Sequence, residues 1–324
     1  MSSGPHNAVP SSERFLVTGV LGCLGAWTAR LLVEEGADVV GLDLGDDPRR
    51  LRELLPDRFD AVSLVQGDVT SLPVIEQALD QHEITNVIHL AALQIPFCRD
   101  NPPLGAAVNV LGTVNVLEAV KRRLDRIGAP VIYASSAAYF GEGDAARATG
   151  DENADSRPST HYGVYKQANE GNARIYWQDE QVPSLGLRPY NVYGPARDQG
   201  ITAEPTHAMK AAAGGDGYHI NYGGRVTYNH AADVARAFIA MSRTPYAGSA
   251  VFNMPGTVAH MSEVVAAIEA AAPEVAGRIT FDDVQLPLPA EMATGGLAAA
   301  IGEVRITSLA EGVRETIEHY RGVS

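Results

Sequence analysis

A glycine-rich turn near the start of the chain constrains its fold more than any other feature. Residues 15–18 are an apolar run long enough for a buried strand, glycines follow at positions 19, 22 and 25, and residues 26–35 are good helix formers. In such a unit the first glycine permits the tight turn, the second lets the backbone approach a pyrophosphate, and the third lets the helix pack on the strand. We therefore predict a dinucleotide-binding turn, with a turn that binds no ligand as the alternative.

An acidic residue ends the next predicted strand. Val39 and Val40 lie in an apolar run that ends at Asp43. A carboxylate at this position can accept hydrogen bonds from an adenosine ribose diol, and it would repel a 2′-phosphate. Asp43 therefore favours NAD over NADP, although an acidic residue could also serve only to solvate the end of the strand.

The glycine spacing resembles that of the extended short-chain dehydrogenase/reductase family, also called NAD-dependent epimerase/dehydratases. The resemblance covers roughly residues 14–322 and is densest before 195, where residues 89–92 match His-x-Ala-Ala and residues 108–113 match Val-Asn-Val-x-Gly-Thr. In the resembled family an Asp-Val or Asp-Leu pair lies beside the adenine, and Asp68 and Val69 match it. Asp68 could equally be a turn residue. Together the motifs and the resemblance predict these cofactor-binding residues: Gly19, Gly22, Cys23, Leu24, Gly25, Asp43, Asp68, Val69, Leu90, Ala91, Ala92, Asn109, Tyr162, Lys166, Tyr190, Asn191 and Val192.

Strand and helix patterns alternate along the chain up to residue 195. Five to six predicted strands with intervening helices indicate an α/β fold with a doubly wound parallel sheet, of the Rossmann type. Residues 1–12 are predicted to be a disordered tail, and residues 13–195 the NAD-binding domain. Residues 196–324 have shorter elements, which predict a smaller C-terminal α/β substrate-binding part interleaved with the end of that domain. Residues 93–103 are predicted to be a loop, and residues 105–125 and 162–180 long helices.

Tyr162 and Lys166 are four residues apart on a predicted helix and therefore share a face. Tyrosine is a poor base at neutral pH, because its reference pKa is about 10. A cationic lysine and a positive nicotinamide would favour the phenolate, which could then take a proton from a substrate hydroxyl. Ser136 stands five residues before Gly141, as in the family's Ser-x-x-x-Tyr/Phe-Gly pattern. The resemblance implies that Ser136, Tyr162 and Lys166 form the catalytic set, and that Lys166 also holds the nicotinamide ribose.

The residues beside Ser136 limit the types of reaction that this set could catalyse. Dehydratases of the family place an acid beside the catalytic hydroxyl, where this chain has Ala137 and Ala138. We therefore expect hydride transfer between NAD and a small sugar-like or polyhydroxylated substrate. The alternatives are a nucleotide-sugar epimerase with tightly bound NAD and, from another class, a non-catalytic NAD-binding protein. Candidate substrate contacts are Gln94, Phe97, Ser136, Ala137, Asn191, Arg197 and Arg225.

A nucleotide-sugar substrate needs a group that binds a diphosphate. Epimerases of the family commonly place an arginine two residues before the Tyr of a Tyr-x-His-x-x-Asp stretch. Tyr228, His230 and Asp233 match that stretch, but the arginine position holds Val226. Arg225 would point to the opposite face of a strand. Arg197 could take over the role.

Composition and charge exclude several other classes of partner. The chain has 324 residues, is 45% hydrophobic and carries a net charge of −14, so a nucleic acid or an anionic membrane is not an expected partner. Two cysteines are too few for a disulfide framework or a structural zinc site, and we predict no metal. The first 12 residues lack the apolar segment of a signal peptide. We expect a cytoplasmic protein, and the resemblance implies a homodimer formed through helices 105–125 and 162–180.

Overall fold

The computed structural model describes residues 13–141 and 156–322. The predicted tail at 1–12 and most of the polar connection at 142–159 lie outside the described residues. The strands within them are β1 (Arg14–Thr18), β2 (Asp38–Asp43), β3 (Val62–Gln66), β4 (Asn86–His89), β5 (Val131–Ala134), β6 (Ser184–Arg188), β7 (Asn191–Tyr193), β8 (Tyr218–Ile220), β9 (Arg225–His230), β10 (Ser249–Asn253), β11 (Thr257–His260) and β12 (Ile279–Phe281).

The helices join these strands and cover both faces of the main sheet. They are α1 (Cys23–Glu35), α2 (Arg49–Leu54), α3 (Leu72–Gln81), α4 (Ile95–Asp100), α5 (Pro102–Ala106), α6 (Gly112–Lys121), α7 (His161–Glu180), α8 (Glu204–Ala213), α9 (Ala231–Arg243), α10 (Met261–Ala271), α11 (Gly296–Ile301) and α12 (Leu309–Gly322).

The main sheet is parallel and has the strand order β10-β6-β5-β4-β1-β2-β3. Its central strands are buried on both faces, which explains why they read as continuous apolar runs such as residues 15–17 and 131–133. The predicted doubly wound sheet is confirmed. It has seven strands rather than five to six, because β10 comes from the C-terminal part of the chain and pairs with β6.

The strand order reverses between β1 and β4. The chain adds β2 and β3 on the side of β1, and then β5 and β6 on the side of β4. At such a point the loops after the two strands diverge and leave a crevice at their carboxyl ends. The glycine turn after β1 and the segment after β4 border this crevice, so the fold places the two motifs singled out in the sequence next to each other.

Two sequence predictions after β4 need correction. The predicted loop at 93–103 contains the short helix α4, which has a proline in its first turn, and the side chain of Asn101 caps α5 by accepting a hydrogen bond from the backbone N of Leu104. The predicted helix at 105–125 instead begins at 102 and ends at 121. It includes a π-helical turn at Ala107–Leu111, between α5 and α6.

Helix 102–121 is, among the described residues, the single helix long and apolar enough to cross a membrane by length and composition. Half of its most apolar window is buried inside the protein. Core helices of soluble proteins pass the same test, so one such helix is weak evidence for a membrane span.

The C-terminal part adds two small sheets beside the carboxyl edge of the main sheet. One has the order β11-β9-β7, and the other pairs β12 with β8. Their apolar faces pack with α8, α10 and α12 around a separate core that includes Ile220, Val226 and Ile317. Because β7 follows directly after β6, this part borders the crevice of the main sheet. The division of the chain at residue 195 stays a prediction.

Candidate active site

Two adjoining cavities lie in the crevice, and they share Gly19, Gly22, Leu90 and Ala92 in their walls. The first, here called the α7 half, contains side chains from α7 and from the segments after β5 and β6. The second, here called the β2 half, contains the residues that follow β2 and β3. The glycine turn therefore lies at the junction of one continuous cleft that is open to solvent.

The glycine turn leaves no room for side chains. Gly19 has a φ of 70°, and a Cβ there would lie 2.6 Å from the backbone N of Ala91. A Cβ on Gly25 would lie 2.1 Å from the backbone O of Gly19. Gly22 is the N-cap of α1, with no side-chain capping bond and no acidic residue in the first helical turn. The free N–H groups of α1 therefore face the junction, where a pyrophosphate would be stabilised.

Asp43 stands at the end of β2 in the wall of the β2 half. Its carboxylate accepts hydrogen bonds from the backbone N of Leu21 at 2.9 Å and of Gly45 at 3.1 Å. These bonds fix the carboxylate beside the glycine turn. Asp68 and Val69 also line this half, and Asp68 accepts a bond from the backbone N of Thr70 at 2.8 Å. Asp68 thus has the turn role that the sequence left open, at a position in the cleft.

The three predicted catalytic residues line the α7 half together. Tyr162 and Lys166 project from α7, and the Lys166 Nζ lies 5.3 Å from the centre of the Tyr162 ring. Lys166 is 3% exposed and donates to the backbone O of Ala134 at 2.7 Å. Ser136 follows β5, its hydroxyl accepts a hydrogen bond from the backbone N of Ala138 at 3.1 Å, and its side chain is near enough to lower the pKa of Tyr162. β5 and α7 therefore bring the serine and the tyrosine together in the wall of the same half.

Burial dominates the electrostatics of these groups. It raises the pKa of Tyr162 above its usual 10.0, and the Ser136 hydrogen bond and the positive charge of Arg197 oppose this rise only in part. Burial also lowers the pKa of Lys166 to about 8. The thiol of Cys23, next to the glycine turn, has its pKa raised to about 12 by burial, as expected for a packing residue.

A buried ion pair lies behind the predicted catalytic residues. Glu170, one turn after Lys166, forms two hydrogen bonds with Arg188 at 2.6 and 2.8 Å, and their side chains are 9% and 3% exposed. Ser135 donates to the same carboxylate. The guanidinium of Arg188 lies 3.9 Å from the centre of the Tyr139 ring. This network joins α7 to β6 and to the segment after β5, and α7 and that segment carry the predicted catalytic side chains.

Two more buried polar groups hold the segments that surround the cleft. Asn109 donates to the backbone O of Leu93 and of Gly105, and its own backbone O accepts from Asn169 on α7. His89 bonds with Thr18 at 2.7 Å and with Thr113 at 3.1 Å, which ties the end of β4 to β1 and α6. These groups fix the loops around the glycine turn from positions behind the cleft wall.

Most of the residues predicted from the sequence meet in the cleft. Those in its walls are Gly19, Gly22, Cys23, Leu24, Gly25, Asp43, Asp68, Val69, Leu90, Ala91, Ala92, Gln94, Ser136, Ala137, Tyr162, Lys166, Tyr190, Val192 and Arg197.

The structure places four predicted residues outside both halves: Phe97, Asn109, Asn191 and Arg225. Phe97 is 50% exposed on α4. Asn191 is buried and donates to the Tyr222 hydroxyl at 2.9 Å. Arg225 is exposed and lies 3.5 Å from Glu263. Whether such a side chain is buried, exposed or in the cleft depends on contacts between distant segments, which spacing along the sequence does not reveal.

The segment after β7 closes one side of the cleft. Residues 197 and 200–202 line the α7 half, and residue 199 lines the β2 half. Asp198 pairs with Arg50 at 2.7 Å and with Arg49 at 2.9 Å, both on α2, and Arg50 also donates to the backbone O of Leu21. We call Asp198, Arg49 and Arg50 the α2 clasp. It connects the segment after β7 to the glycine turn, and its charged residues gave no recognisable sequence signal.

The cleft fits a dinucleotide. A side-chain-free turn stands at its centre, an unobstructed helix N-terminus faces it, a fixed carboxylate lies in one half, and a tyrosine and a buried lysine lie in the other. The adenosine would bind in the β2 half and the nicotinamide in the α7 half, beside Tyr162 and Lys166.

Comparisons with known proteins agree with this geometry. A model of the NAD-dependent epimerase/dehydratase family matches residues 15–254. The chain is 30% identical to UDP-glucuronate 4-epimerase 6 of Arabidopsis thaliana over 57% of this chain and 41% of that protein, so the match spans less than half of the plant relative. It is 27% identical to UDP-glucose 4-epimerase of Mycolicibacterium smegmatis over 96% of this chain and 99% of that protein.

Among solved structures, the UDP-glucose 4-epimerase of Thermus thermophilus, crystallised as a complex with NAD, is similar throughout. The TM-score is 0.79 with 25% sequence identity, over 96% of this chain and 100% of that chain.

Proposed function

Because the chain belongs to the NAD-dependent epimerase/dehydratase family, we propose that it transfers hydride between NAD and a hydroxyl or keto carbon of a small hydroxylated substrate. Membership confirms the resemblance seen in the sequence, and the NAD dependence of the family confirms the predicted cofactor. The observation that carries the proposal is the meeting of Ser136, Tyr162 and Lys166 in the half of the cleft that continues from the glycine turn.

Each catalytic side chain has a role that follows from its contacts. Tyr162 removes the proton of the substrate hydroxyl, and Ser136, in the wall of the same half, holds the substrate oxygen on the other side. Lys166 keeps its amine beside the tyrosine ring, where a positive charge stabilises the phenolate. When bound, the nicotinamide accepts or returns the hydride. Since the residues after Ser136 are alanines, the site lacks the neighbouring acid that a dehydration would use.

The experiment measures NADH absorbance with purified protein, NAD and a panel of free sugars, sugar acids, polyols and nucleotide sugars. We expect net NADH formation with a free substrate. Tyr162→Phe should lower kcat roughly 100- to 10,000-fold, because it removes the acid–base group, while NADH binding, followed by fluorescence, stays intact. Full activity in the Tyr162→Phe variant would show that Tyr162 is not the acid–base group, whereas NADH binding without turnover of any substrate would favour a non-catalytic NAD-binding protein.

A nucleotide-sugar 4-epimerase is the second candidate. The observation that favours it is the similarity along the whole chain to UDP-glucose 4-epimerase of M. smegmatis. In that case NAD would copurify with the protein, no net NADH would accumulate, and a UDP-sugar would be converted to its 4-isomer.

We also propose that the protein is a homodimer. Leu104 and Leu111 on helix 102–121 and Val164 and Ile175 on α7 are between 43% and 49% exposed. The two helices are neighbours, because the Tyr165 hydroxyl donates to the backbone O of Pro102 at 2.8 Å. Four large apolar side chains on adjacent helices support an interface with a second copy. The cytoplasmic location stays a prediction.

A further inference from the structure

We propose that the substrate is a small hydroxy acid whose carboxylate binds Arg197, rather than a neutral sugar or a nucleotide sugar. This proposal rests on the hydride transfer proposed above. It names the substrate class of the same cleft and the side chain that selects it.

The first argument is the charge of the α7 half. Among the described residues that line it, Lys166 and Arg197 carry the formal charges, and no carboxylate is present. Lys166 is engaged with the backbone O of Ala134 and stands beside the catalytic ring. Arg197 is therefore the charge that faces the remainder of this half. A single unpaired cation in a partly desolvated wall favours a substrate with one negative charge.

The second argument is the state of the Arg197 side chain. Its Nη2 donates to the Thr202 hydroxyl at 3.2 Å, which orients the guanidinium, and its Nε is buried with no hydrogen-bond partner among the described residues. A buried donor without a partner is destabilising unless a ligand satisfies it. The planar fork of arginine matches the two oxygens of a carboxylate. The buried Oε1 of Gln94 and hydroxyl of Tyr190 also lack partners among those residues, and they suit substrate hydroxyls.

The third argument is the position of Arg197 relative to the chemistry. The backbone N of Arg197 donates to the backbone O of Gly194, and the preceding Ala196 is fixed by the Tyr320 hydroxyl at 3.1 Å. The guanidinium is close enough to Tyr162 for its charge to lower the pKa of that phenol. Because Arg197 and Tyr162 line the same half of the cleft, a carboxylate on the one and a hydroxyl at the other would belong to a single small molecule.

This chain lacks the arginine that epimerases of the family commonly use for a diphosphate. Val226, at the position where family epimerases have arginine, is fully buried in the C-terminal core. Arg225, its neighbour on β9, points outward with half of its side chain exposed and lies 3.5 Å from Glu263. Neither side chain lines the cleft in the part of the chain that the structure describes.

The experiment uses the full chain with NAD and a panel in which each hydroxylated acid is paired with its own methyl ester. UDP-glucose and glucose 6-phosphate are added as probes for a diphosphate and a monophosphate. We expect kcat/KM to be on the order of 100-fold higher for an acid than for its ester, since a site built around a polar partner rejects an analogue that lacks it. Arg197→Gln should remove most of this difference by raising KM, whereas Arg197→Lys should retain part of it.

Arg314→Gln is the matched control, because Arg314 is exposed on α12 and pairs with Glu318. It should leave the acid preference unchanged. If esters or UDP-glucose react as well as the acids, and Arg197→Gln has no effect on KM, the carboxylate proposal is wrong while hydride transfer stands. If no probe yields NADH or an isomer although NADH binds, the proposed function itself is contradicted, and the carboxylate proposal falls with it.

Discussion

The contact between Ser136 and Tyr162 decides how readily the tyrosine can act as a base. Burial raises the pKa of Tyr162, and the hydrogen bond with Ser136 is the first of the two influences that lower it. A catalytic base must be deprotonated, so the rate rises as the pH increases through its pKa. In the proposed mechanism the serine therefore shifts the lower end of the working pH range as well as holding the substrate oxygen.

We predict that Ser136→Ala moves the rising limb of the kcat/KM profile to higher pH. The substitution removes a hydrogen bond that favours the phenolate, so the pKa of Tyr162 increases further and less of it is deprotonated at a given pH. The measurement is kcat/KM against pH for the two proteins, with Ser136→Thr as the control that keeps the hydroxyl. A lower kcat/KM with the rising limb at the same pH would show that Ser136 acts only on the substrate.

At the residue scale, short-range spacing identified Ser136, Tyr162, Lys166 and Asp43 as neighbours of the cleft. These residues follow a strand end or share one helical turn, so local geometry fixes their direction. We predicted Asn191 and Arg225 as site residues because they lie next to recognised motifs. In the structure neither side chain lines the cleft. Their directions depend on the pairing of β7 and β9 in a second sheet, which no local pattern in the sequence specifies.

Glu170 and Arg188 connect α7 to β6 and to the segment after β5. α7 and that segment carry the predicted catalytic set. Both side chains are almost fully buried, so removing one charge leaves the other without compensation. We predict that Glu170→Gln lowers the free energy of unfolding by roughly 3 kcal/mol. Urea unfolding measures this change. The exposed pair of Arg314 and Glu318 provides the control, and Glu318→Gln should change the free energy by no more than about 0.5 kcal/mol.

A second prediction at this scale concerns the α2 clasp. Arg49, Arg50 and residue 199 line the β2 half, so the clasp stands where a dinucleotide would enter and leave. Asp198→Asn removes the charge of both partly exposed ion pairs, each worth at most about 1 kcal/mol. We expect NADH release to become roughly 5- to 10-fold faster, measured by stopped-flow fluorescence.

Asp100→Asn, in an exposed pair with Arg99, is the matched control for Asp198→Asn. Equal release rates in all three proteins would mean that the clasp stabilises the fold without restraining the cofactor. Rapid release in the native protein would itself favour a released cosubstrate over a permanently bound NAD.

The elements of the chain were predicted more accurately than the connections between them. The predicted helix at 162–180 is α7, which begins one residue earlier, at His161, and ends at Glu180. The seventh strand of the main sheet was not assigned to it, since β10 lies 61 residues after β6 ends at Arg188. Pairing over such a distance depends on contacts between distant segments, such as that of α9 with α1, which are not local in the sequence.

At the scale of the whole molecule, helix 102–121 has two faces that require different explanations. One face packs on α3 and α7 inside the subunit, and half of the apolar window is buried. The other face leaves Leu104 and Leu111 exposed next to Val164 and Ile175 of α7. A second copy related by a two-fold axis would cover both helices with the same surface, which is how most homodimers close.

We predict that Leu111→Glu combined with Val164→Glu converts a dimer into a monomer, as measured by light scattering during size-exclusion chromatography. Two carboxylates in an apolar interface would have to be desolvated without partners, whereas in the monomer they remain in water. Val284→Glu is the matched control, because Val284 is 61% exposed outside these helices and should leave the dimer intact. Since α7 also carries Tyr162 and Lys166, loss of the partner should reduce the enzyme activity as well as the molar mass measured by light scattering. A native protein that is monomeric at all concentrations would refute the dimer and leave the exposed apolar face to another partner.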